Sequence, residues 1–177
     1  YCAGGEIGGN KILLEDGDAR LLFDIGESFG RVGAFYNELL RPRATRGLLD
    51  PLRLGLLPPL EGLYRRDLEI PGVWDAVRGA SGYRRLARDG RPPVDAVLLS
   101  HAHLDHTGDV SFLSGEIPLV CSRTTAAISR AMQVTGISSM EREMAYLNPR
   151  VDKNGLLGTG ETDRGPAAGR LNRQGPL

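Results

Sequence analysis

The sequence has little of what marks a secreted, disulfide-stapled or membrane-bound protein. Its 177 residues include two cysteines, Cys2 and Cys121, which are too few for a disulfide framework and fit a reducing cytoplasm. No run approaches the roughly 18 uninterrupted apolar residues of a membrane-spanning helix, and no basic segment followed by an apolar run opens the chain. We therefore expect one globular, cytoplasmic domain that has its own core and no membrane partner.

Histidine is also scarce, and its distribution is uneven. The chain has three histidines, and all of them fall in the segment His101-Ala-His-Leu-Asp-His106. This segment follows the apolar run 94–100, which predicts a buried strand. Because residues i and i+2 of an extended chain project to the same side, His101 and His103 can direct two imidazoles at one ion.

The ligand types in this segment predict a metal site. A turn after Leu104 can bring Asp105 and His106 to face a second ion close to the first. Three imidazoles and one carboxylate form a mixed nitrogen and oxygen set that suits zinc, with manganese or iron as alternatives. The competing interpretation is a surface loop whose histidines bind nothing, but four ligand-type positions in six residues rarely arise by chance.

The N-terminal region predicts a β-hairpin. Residues 11–15 and 20–25 are short apolar strands, and Asp16-Gly17 between them is a strong hairpin signal, because both positions tolerate positive φ. The glycine-rich segment 4–9 lacks the Gly-Lys-Ser/Thr of a phosphate-binding loop, so nucleotide binding is not predicted. Asp24, at the end of the second strand, is either a cap or surface charge, or a carboxylate that supports metal ligands.

Charge is distributed unevenly along the chain. Residues 41–93 carry eleven arginines against six acids, whereas residues 1–40 hold three bases against seven acids. Prolines and glycines interrupt the basic segment, which favours short helices and loops that cover the site. Its arginines suit bidentate phosphate contacts, and Tyr64, Trp74 and Tyr83 offer stacking surfaces for RNA bases. The alternative is a solvated helical surface with a few core aromatics.

The pattern after the histidines is typical of an α/β fold. Residues 117–121 predict a strand that ends in a small core cysteine. Ser122 is a suitable N-cap for a helix over 124–134, which Gly136 ends. A further short helix is predicted over 141–147.

These features resemble the metallo-β-lactamase superfamily, whose members are αββα sandwiches and metal-dependent hydrolases. The segment 101–106 after a hydrophobic strand resembles the metal-binding signature of that family, and Asp24 resembles its acidic residue beneath the ligands. The opening from Gly4 to Lys11 is similar to that of the RNA-processing, ribonuclease J-like branch. The resemblance implies the N-terminal half of the sandwich, an α/β domain in α+β layers over residues 1–150 with an arginine-rich helical insertion at 41–93.

The resemblance also implies an activity and a role for each residue of the motif. His101 and His103 would hold a first ion, and Asp105 and His106 would serve a second. Asp105 would also orient the attacking water, and Asp24 would fix an imidazole tautomer from behind. The implied reaction is hydrolysis of an RNA phosphodiester with zinc, and the alternative is hydrolysis of a small ester, lactone, thioester or β-lactam.

Part of that family's site is absent from the sequence. The family draws further histidines and a bridging aspartate from later strands, yet no histidine follows His106. The glycine-rich tail 151–177 shows no periodicity and is predicted to be disordered or foreign to the fold. We therefore expect an incomplete copy of a longer enzyme, with little activity alone. The alternatives are ligands from elsewhere, one weakly held metal, or a non-catalytic metal-binding or RNA-binding fragment.

Overall fold

A computed structural model of the chain describes residues 8–37, 39–40, 42–136, 139–159 and 171–172. The strands are β1 (Ile12–Asp16), β2 (Ala19–Phe23), β3 (Leu60–Glu61), β4 (Arg84–Arg85), β5 (Ala96–Leu98), β6 (Leu119–Val120), β7 (Tyr146–Leu147), β8 (Arg150–Lys153), β9 (Leu156–Thr159) and β10 (Leu171–Asn172). The α-helices are α1 (Phe29–Phe35), α2 (Leu49–Arg53), α3 (Leu104–Thr107) and α4 (Arg123–Thr135), and 3-10 turns span Ala44–Arg46, Arg66–Leu68, Val110–Phe112 and Met140–Arg142. The predicted mixed α/β fold is confirmed, and within the described residues no helix has the length and apolar character that a membrane span needs.

The central sheet has the strand order β1-β2-β5-β6. β1 and β2 form the predicted antiparallel hairpin, while β5 is parallel to both β2 and β6. The hairpin loop lies one residue later than expected, because Asp16 pairs with Ala19 and the two loop residues are Gly17 and Asp18. Gly17 has a φ of 55°, which explains why glycine suits the first loop position.

One face of this sheet contributes to the core, and the insertion supplies most of the remainder. Leu22 and Val97 are neighbours across β2 and β5 and are both buried. They share one hydrophobic cluster with buried leucines from the insertion, namely Leu48, Leu49, Leu52, Leu57, Leu60, Leu63, Leu68 and Leu86. The predicted short helices and loops are present, but β3 and β4 add a small parallel sheet that was not predicted. The insertion is therefore part of the folded core as well as a connection.

The aromatic side chains of the insertion are engaged within the protein. Tyr64 is only 1% exposed, its hydroxyl donates to the Pro58 carbonyl at 2.5 Å, and its ring stacks with Trp74 at a centroid distance of 6.2 Å. The Tyr83 hydroxyl donates to the Glu61 carboxylate. The expectation that Tyr64 offers a stacking surface is therefore wrong, because this residue completes the core.

At least six of the eleven arginines of the insertion pair with carboxylates of the chain itself. The pairs are Arg43 with Asp50, Arg65 with Asp67, Arg78 with Asp75, Arg84 with Glu15, Arg85 with Glu61 and Arg88 with Asp95. Much of the positive charge that the composition suggests is therefore balanced locally.

Helix α4 follows the predicted pattern, and the segment after it does not. The Ser122 hydroxyl accepts a hydrogen bond from the Thr125 N–H, and Gly136 is the C-cap. The helix predicted over 141–147 is wrong beyond a single 3-10 turn, since residues 146–147 form β7. The Gln133 side chain provides the reason: it accepts from the N–H groups of residues 145 and 146 and donates to the carbonyl of 146, which satisfies an extended backbone.

The start of the predicted disordered tail is structured. β8 and β9 form an antiparallel hairpin, and Leu157 on β9 is buried. Asn154 and Gly155 form the turn, both with positive φ, and Asn-Gly is a strong hairpin signal. The expectation of disorder is therefore wrong for residues 151–159, and β10 further on pairs with β7. Residues 160–170 and 173–177 lie outside the described part.

A buried charge network joins the insertion to the segment after α4. The Arg65 guanidinium, with its side chain 3% exposed, bonds to Glu143 at 2.8 Å and to Asp67 at 2.7 Å. It also donates to the carbonyls of Ser111 and Asn148. Burial alone would raise the pKa of Glu143, but the hydrogen bonds from its partners, Arg65 first among them, hold that pKa below its ordinary value. The network therefore fixes the position of the chain beyond α4.

Arg65→Ala is expected to lower the free energy of unfolding by about 3–5 kcal/mol, because it leaves the Glu143 carboxylate buried without its main partner. The ionised Glu143 carboxylate stabilises the fold at pH values above its ordinary pKa of 4.5. This stabilisation is lost as the pH falls through the lower pKa that Glu143 has in the folded protein. Urea denaturation at pH 7 and pH 3.5 measures both effects, and the gap between wild type and variant should shrink at the lower pH. The exposed pair at Arg78 provides the control, since Arg78→Ala should cost less than about 0.5 kcal/mol. If Arg65→Ala and Arg78→Ala lowered the free energy of unfolding equally, the stabilising role of the buried Arg65 network would be contradicted.

Candidate metal centre

The parallel pairing of β2 and β5 places Asp24 beside the histidine segment. Both strands end at the same edge of the sheet, with Phe23 opposite Leu98. Just beyond, the Asp24 N–H donates to the Leu98 carbonyl at 2.9 Å, and the Ser100 N–H donates to Asp24 Oδ1 at 2.8 Å. Asp24 has a φ of 54°, a left-handed conformation that aspartate tolerates better than most residues. Its carboxylate therefore lies against the chain that leaves β5.

The turn that follows His101 is a single helical turn. His103 is the N-cap of α3, which spans Leu104–Thr107. The hydroxyl of the fully buried Thr107 donates to the His103 carbonyl at 3.0 Å, and this bond stabilises the turn. Asp105 and His106 therefore project from a short, well-bonded helix.

Two glycines allow this turn to approach the N-terminal strands closely. A Cβ on Gly26 would lie 1.6 Å from the Asp105 carbonyl oxygen, and one on Gly8 would lie 2.7 Å from the Asp105 Cβ. The Gly9 N–H donates to the Asp105 carbonyl at 3.0 Å, and the Ile25 N–H donates to the His106 carbonyl at 2.9 Å. The described part of the glycine-rich opening thus packs against the metal motif, while residues 4–7 lie outside the described part.

A buried lysine ties the two sides of this contact together. The Lys11 ammonium forms a 2.8 Å ion pair with Asp109 and also donates to the Gly26 carbonyl. Burial raises the pKa of the Asp109 carboxyl to about 6, although the charge of Lys11 acts in the opposite direction. Lys11 therefore connects the start of β1 with the loop after α3.

The side chains of His101, His103 and Asp105 converge. One ligand atom from each lies within 4.8 Å of the others, and His101 Nε2 is 3.2 Å from His103 Nδ1. Ligand atoms at about 2.0–2.2 Å around a tetrahedral zinc ion lie about 3.4 Å from one another, which agrees with the imidazole spacing. His103 is exposed and the other two are half-buried, so the cluster is open to solvent. Its ligand types and spacing fit a divalent cation of borderline hardness.

His106 lies beside this cluster. Its Nδ1 is 2.7 Å from Asp24 Oδ2, its Nε2 is 3.5 Å from Asp105 Oδ2, and its ring centroid is 4.1 Å from that of His101. All the residues that the sequence singled out for the metal site are therefore in one place, although His106 does not belong to the three-residue cluster.

The sequence did not single out Ser100, Lys11 or Asp109. Ser100 immediately precedes His101 at the strand end, which is the one local signal that could have drawn attention to it. Lys11 and Asp109 are separated by 98 positions, and only the fold shows that they form a pair.

Comparison with known proteins gives one family match. Residues 71–147, which include the whole histidine motif, match the family described as "Beta-lactamase superfamily domain". No curated protein matches the chain. A similar solved structure is that of a protein of unknown function from Enterococcus faecalis V583, with 23% identity and a TM-score of 0.48 over 86% of this chain and 37% of that one. The chain therefore spans little more than a third of that protein, and its residues 71–147, which contain the histidine motif, are similar to the beta-lactamase superfamily domain.

Proposed function

We propose that the chain carries the metal centre of a metal-dependent hydrolase. The observation that carries the proposal is the convergence of His101, His103 and Asp105 within 4.8 Å, inside the segment that matches the beta-lactamase superfamily domain. Zinc is the metal that this ligand set favours, with manganese or iron as alternatives. The three converging ligands would hold one ion, and a second would depend on His106.

The residues have distinct roles in this proposal. His101 through Nε2 and His103 through Nδ1 would hold the ion together with the Asp105 carboxylate. A divalent cation held there would lower the pKa of a bound water to about 7 and so supply a nucleophile at neutral pH. Asp105 would also accept a hydrogen bond from the attacking water and orient it, while Asp24 holds the His106 ring through Nδ1.

The local charge balance favours a small ester-type substrate, such as an ester, thioester, lactone or β-lactam. An RNA-binding cleft needs arginines that are available for phosphate, and at least six of those in the insertion already pair with carboxylates. Tyr64 is likewise committed to the core. An RNA phosphodiester remains the second candidate, because the exposed residues Arg53 and Arg66 lie outside those six pairs and the insertion has a net excess of arginine.

His103→Ala is expected to weaken zinc binding by at least about a hundredfold, because it removes one of the three converging ligands. The measurement is competition with a chromophoric chelator, using protein that carries no histidine tag. Wild type should bind fewer than two equivalents of zinc and hydrolyse generic substrates slowly.

Glu116→Gln is the matched control for that variant. Glu116 is an exposed carboxylate shortly after the motif, and its replacement should leave zinc affinity unchanged. Unchanged zinc affinity in His103→Ala would dismiss the ligand assignment. Tight zinc binding by wild type without any zinc-dependent hydrolysis of esters or phosphodiesters would favour a non-catalytic metal-binding protein.

A small ester-type substrate predicts that the chain binds RNA only weakly. We expect a labelled 20-nucleotide RNA to bind with a dissociation constant above about 100 μM at 150 mM salt, and zinc-dependent hydrolysis of p-nitrophenyl acetate to be insensitive to salt. Fluorescence anisotropy between 50 and 200 mM KCl measures the first quantity. Micromolar RNA binding that weakens more than about tenfold over this range, and that is lost in Arg53→Ala/Arg66→Ala, would instead establish the polyanion as substrate.

A further inference from the structure

The Ser100 hydroxyl lies within hydrogen-bond distance of three groups of the proposed metal centre. Its Oγ lies 2.9 Å from Asp24 Oδ2, 3.0 Å from His101 Nδ1 and 3.2 Å from His106 Nδ1. The same Asp24 oxygen is 2.7 Å from His106 Nδ1. One carboxylate oxygen and one hydroxyl therefore face the Nδ1 atoms of two histidines.

Counting protons in this group assigns the direction of each hydrogen bond. An ionised carboxylate only accepts, so the single hydroxyl proton of Ser100 points to Asp24 and the Nδ1–H of His106 also donates to Asp24. If the Ser100 proton pointed to His101 instead, two oxygen acceptors would face each other at 2.9 Å. The remaining lone pairs of Ser100 Oγ then require a donor from His101, which is its Nδ1–H.

We propose that Ser100 is a positioning residue whose hydroxyl links Asp24 to His101 through two hydrogen bonds. The single carboxylate of Asp24 then sets the tautomers of both His101 and His106. Asp24 acts directly on His106 and acts through the Ser100 hydroxyl on His101. Both rings then carry their proton on Nδ1 and present an unprotonated Nε2.

This tautomer leaves an unprotonated Nε2 on the side of His101 that faces the other candidate ligands. His101 Nε2 is the atom that lies 3.2 Å from His103 Nδ1 in the converging cluster. With the proton of His101 held on the opposite nitrogen by Ser100, this Nε2 lone pair is available to a cation without a change of tautomer. The consequence for metal affinity rests on the proposed metal-binding function, but the tautomers themselves do not.

Imidazole nitrogen signals of the metal-free protein directly test this relay, the hydrogen-bond chain from Asp24 through Ser100 to His101. Long-range proton–nitrogen correlation spectra of 15N-labelled, untagged protein contain three histidine ring systems, all from the motif. We expect the Nδ1–H tautomer for His101 and His106 in wild type. In Ser100→Ala, His101 should shift towards the Nε2–H form that imidazole prefers in water while His106 keeps its tautomer, and in Asp24→Asn both should shift.

Zinc affinity provides the second readout. Ser100→Ala should weaken binding by about ten- to a hundredfold, the usual effect of removing a group that orients a metal ligand. Ser100→Thr keeps the hydroxyl and should stay within a few fold of wild type. Ser81→Ala, at an exposed serine of the insertion, is the matched control and should leave both readouts unchanged.

An Nε2–H tautomer of His101 in wild type, or the same His101 tautomer in wild type and Ser100→Ala, would overturn the relay. Zinc affinity in Ser100→Ala equal to that of wild type would overturn the role of Ser100 in preparing His101 for a cation. If wild type itself binds no zinc, the proposed function fails, and the nitrogen signals of the metal-free protein still decide the relay. Thermal unfolding of each variant confirms that the compared proteins are folded.

Discussion

The hydrogen bonds of the Asp24 carboxylate are the interaction on which the proposed metal centre depends. They reach the backbone and hydroxyl of Ser100 and the imidazole of His106, so a single side chain holds both ends of the histidine motif. The left-handed backbone of Asp24 costs roughly 1–2 kcal/mol, and these bonds offset that cost. The parallel pairing of β2 with β5 is the reason that Asp24 and Ser100 meet, because it aligns the ends of two strands that are distant in sequence.

Further contacts of the surrounding fold hold this arrangement in place. Gly26 lets the backbone of the N-terminal region touch the turn that carries Asp105, and Lys11 links the same region to Asp109 behind the motif. Elsewhere in the fold, the buried Arg65 network joins the insertion to the segment after α4. Ligands held in this way need little reorganisation on binding a cation, which is how a supporting shell raises metal affinity.

The sequence predicts the parts of the molecule whose signals are local. The N-terminal hairpin, the strand before His101 and the helix that begins after Ser122 all follow from residue pattern and turn or capping chemistry. The clustering of the candidate metal ligands is also predictable from the sequence, because it depends on spacing within six residues. The β8–β9 hairpin also has a local signal, Asn154-Gly155, but the glycine-rich composition around that signal predicts disorder.

Other features depend on tertiary contacts and were not accessible from the pattern. Residues 146–147 are extended because the Gln133 side chain bonds to their backbone, which no local propensity contains. Tyr64 lies in the core because leucines of the insertion surround it. The shared hydrogen bonding of Ser100 with two histidines required coordinates, since it depends on atoms from two strands.

The central claim is that three side chains of the motif form a cation site on a preformed scaffold. Crystals of the untagged chain grown with zinc, and diffraction data collected on both sides of the zinc absorption edge, test it most directly. We predict an anomalous peak about 2.0–2.2 Å from His101 Nε2, His103 Nδ1 and an Asp105 carboxylate oxygen. Well-ordered rings that point away from one another, with no peak between them, would contradict the account.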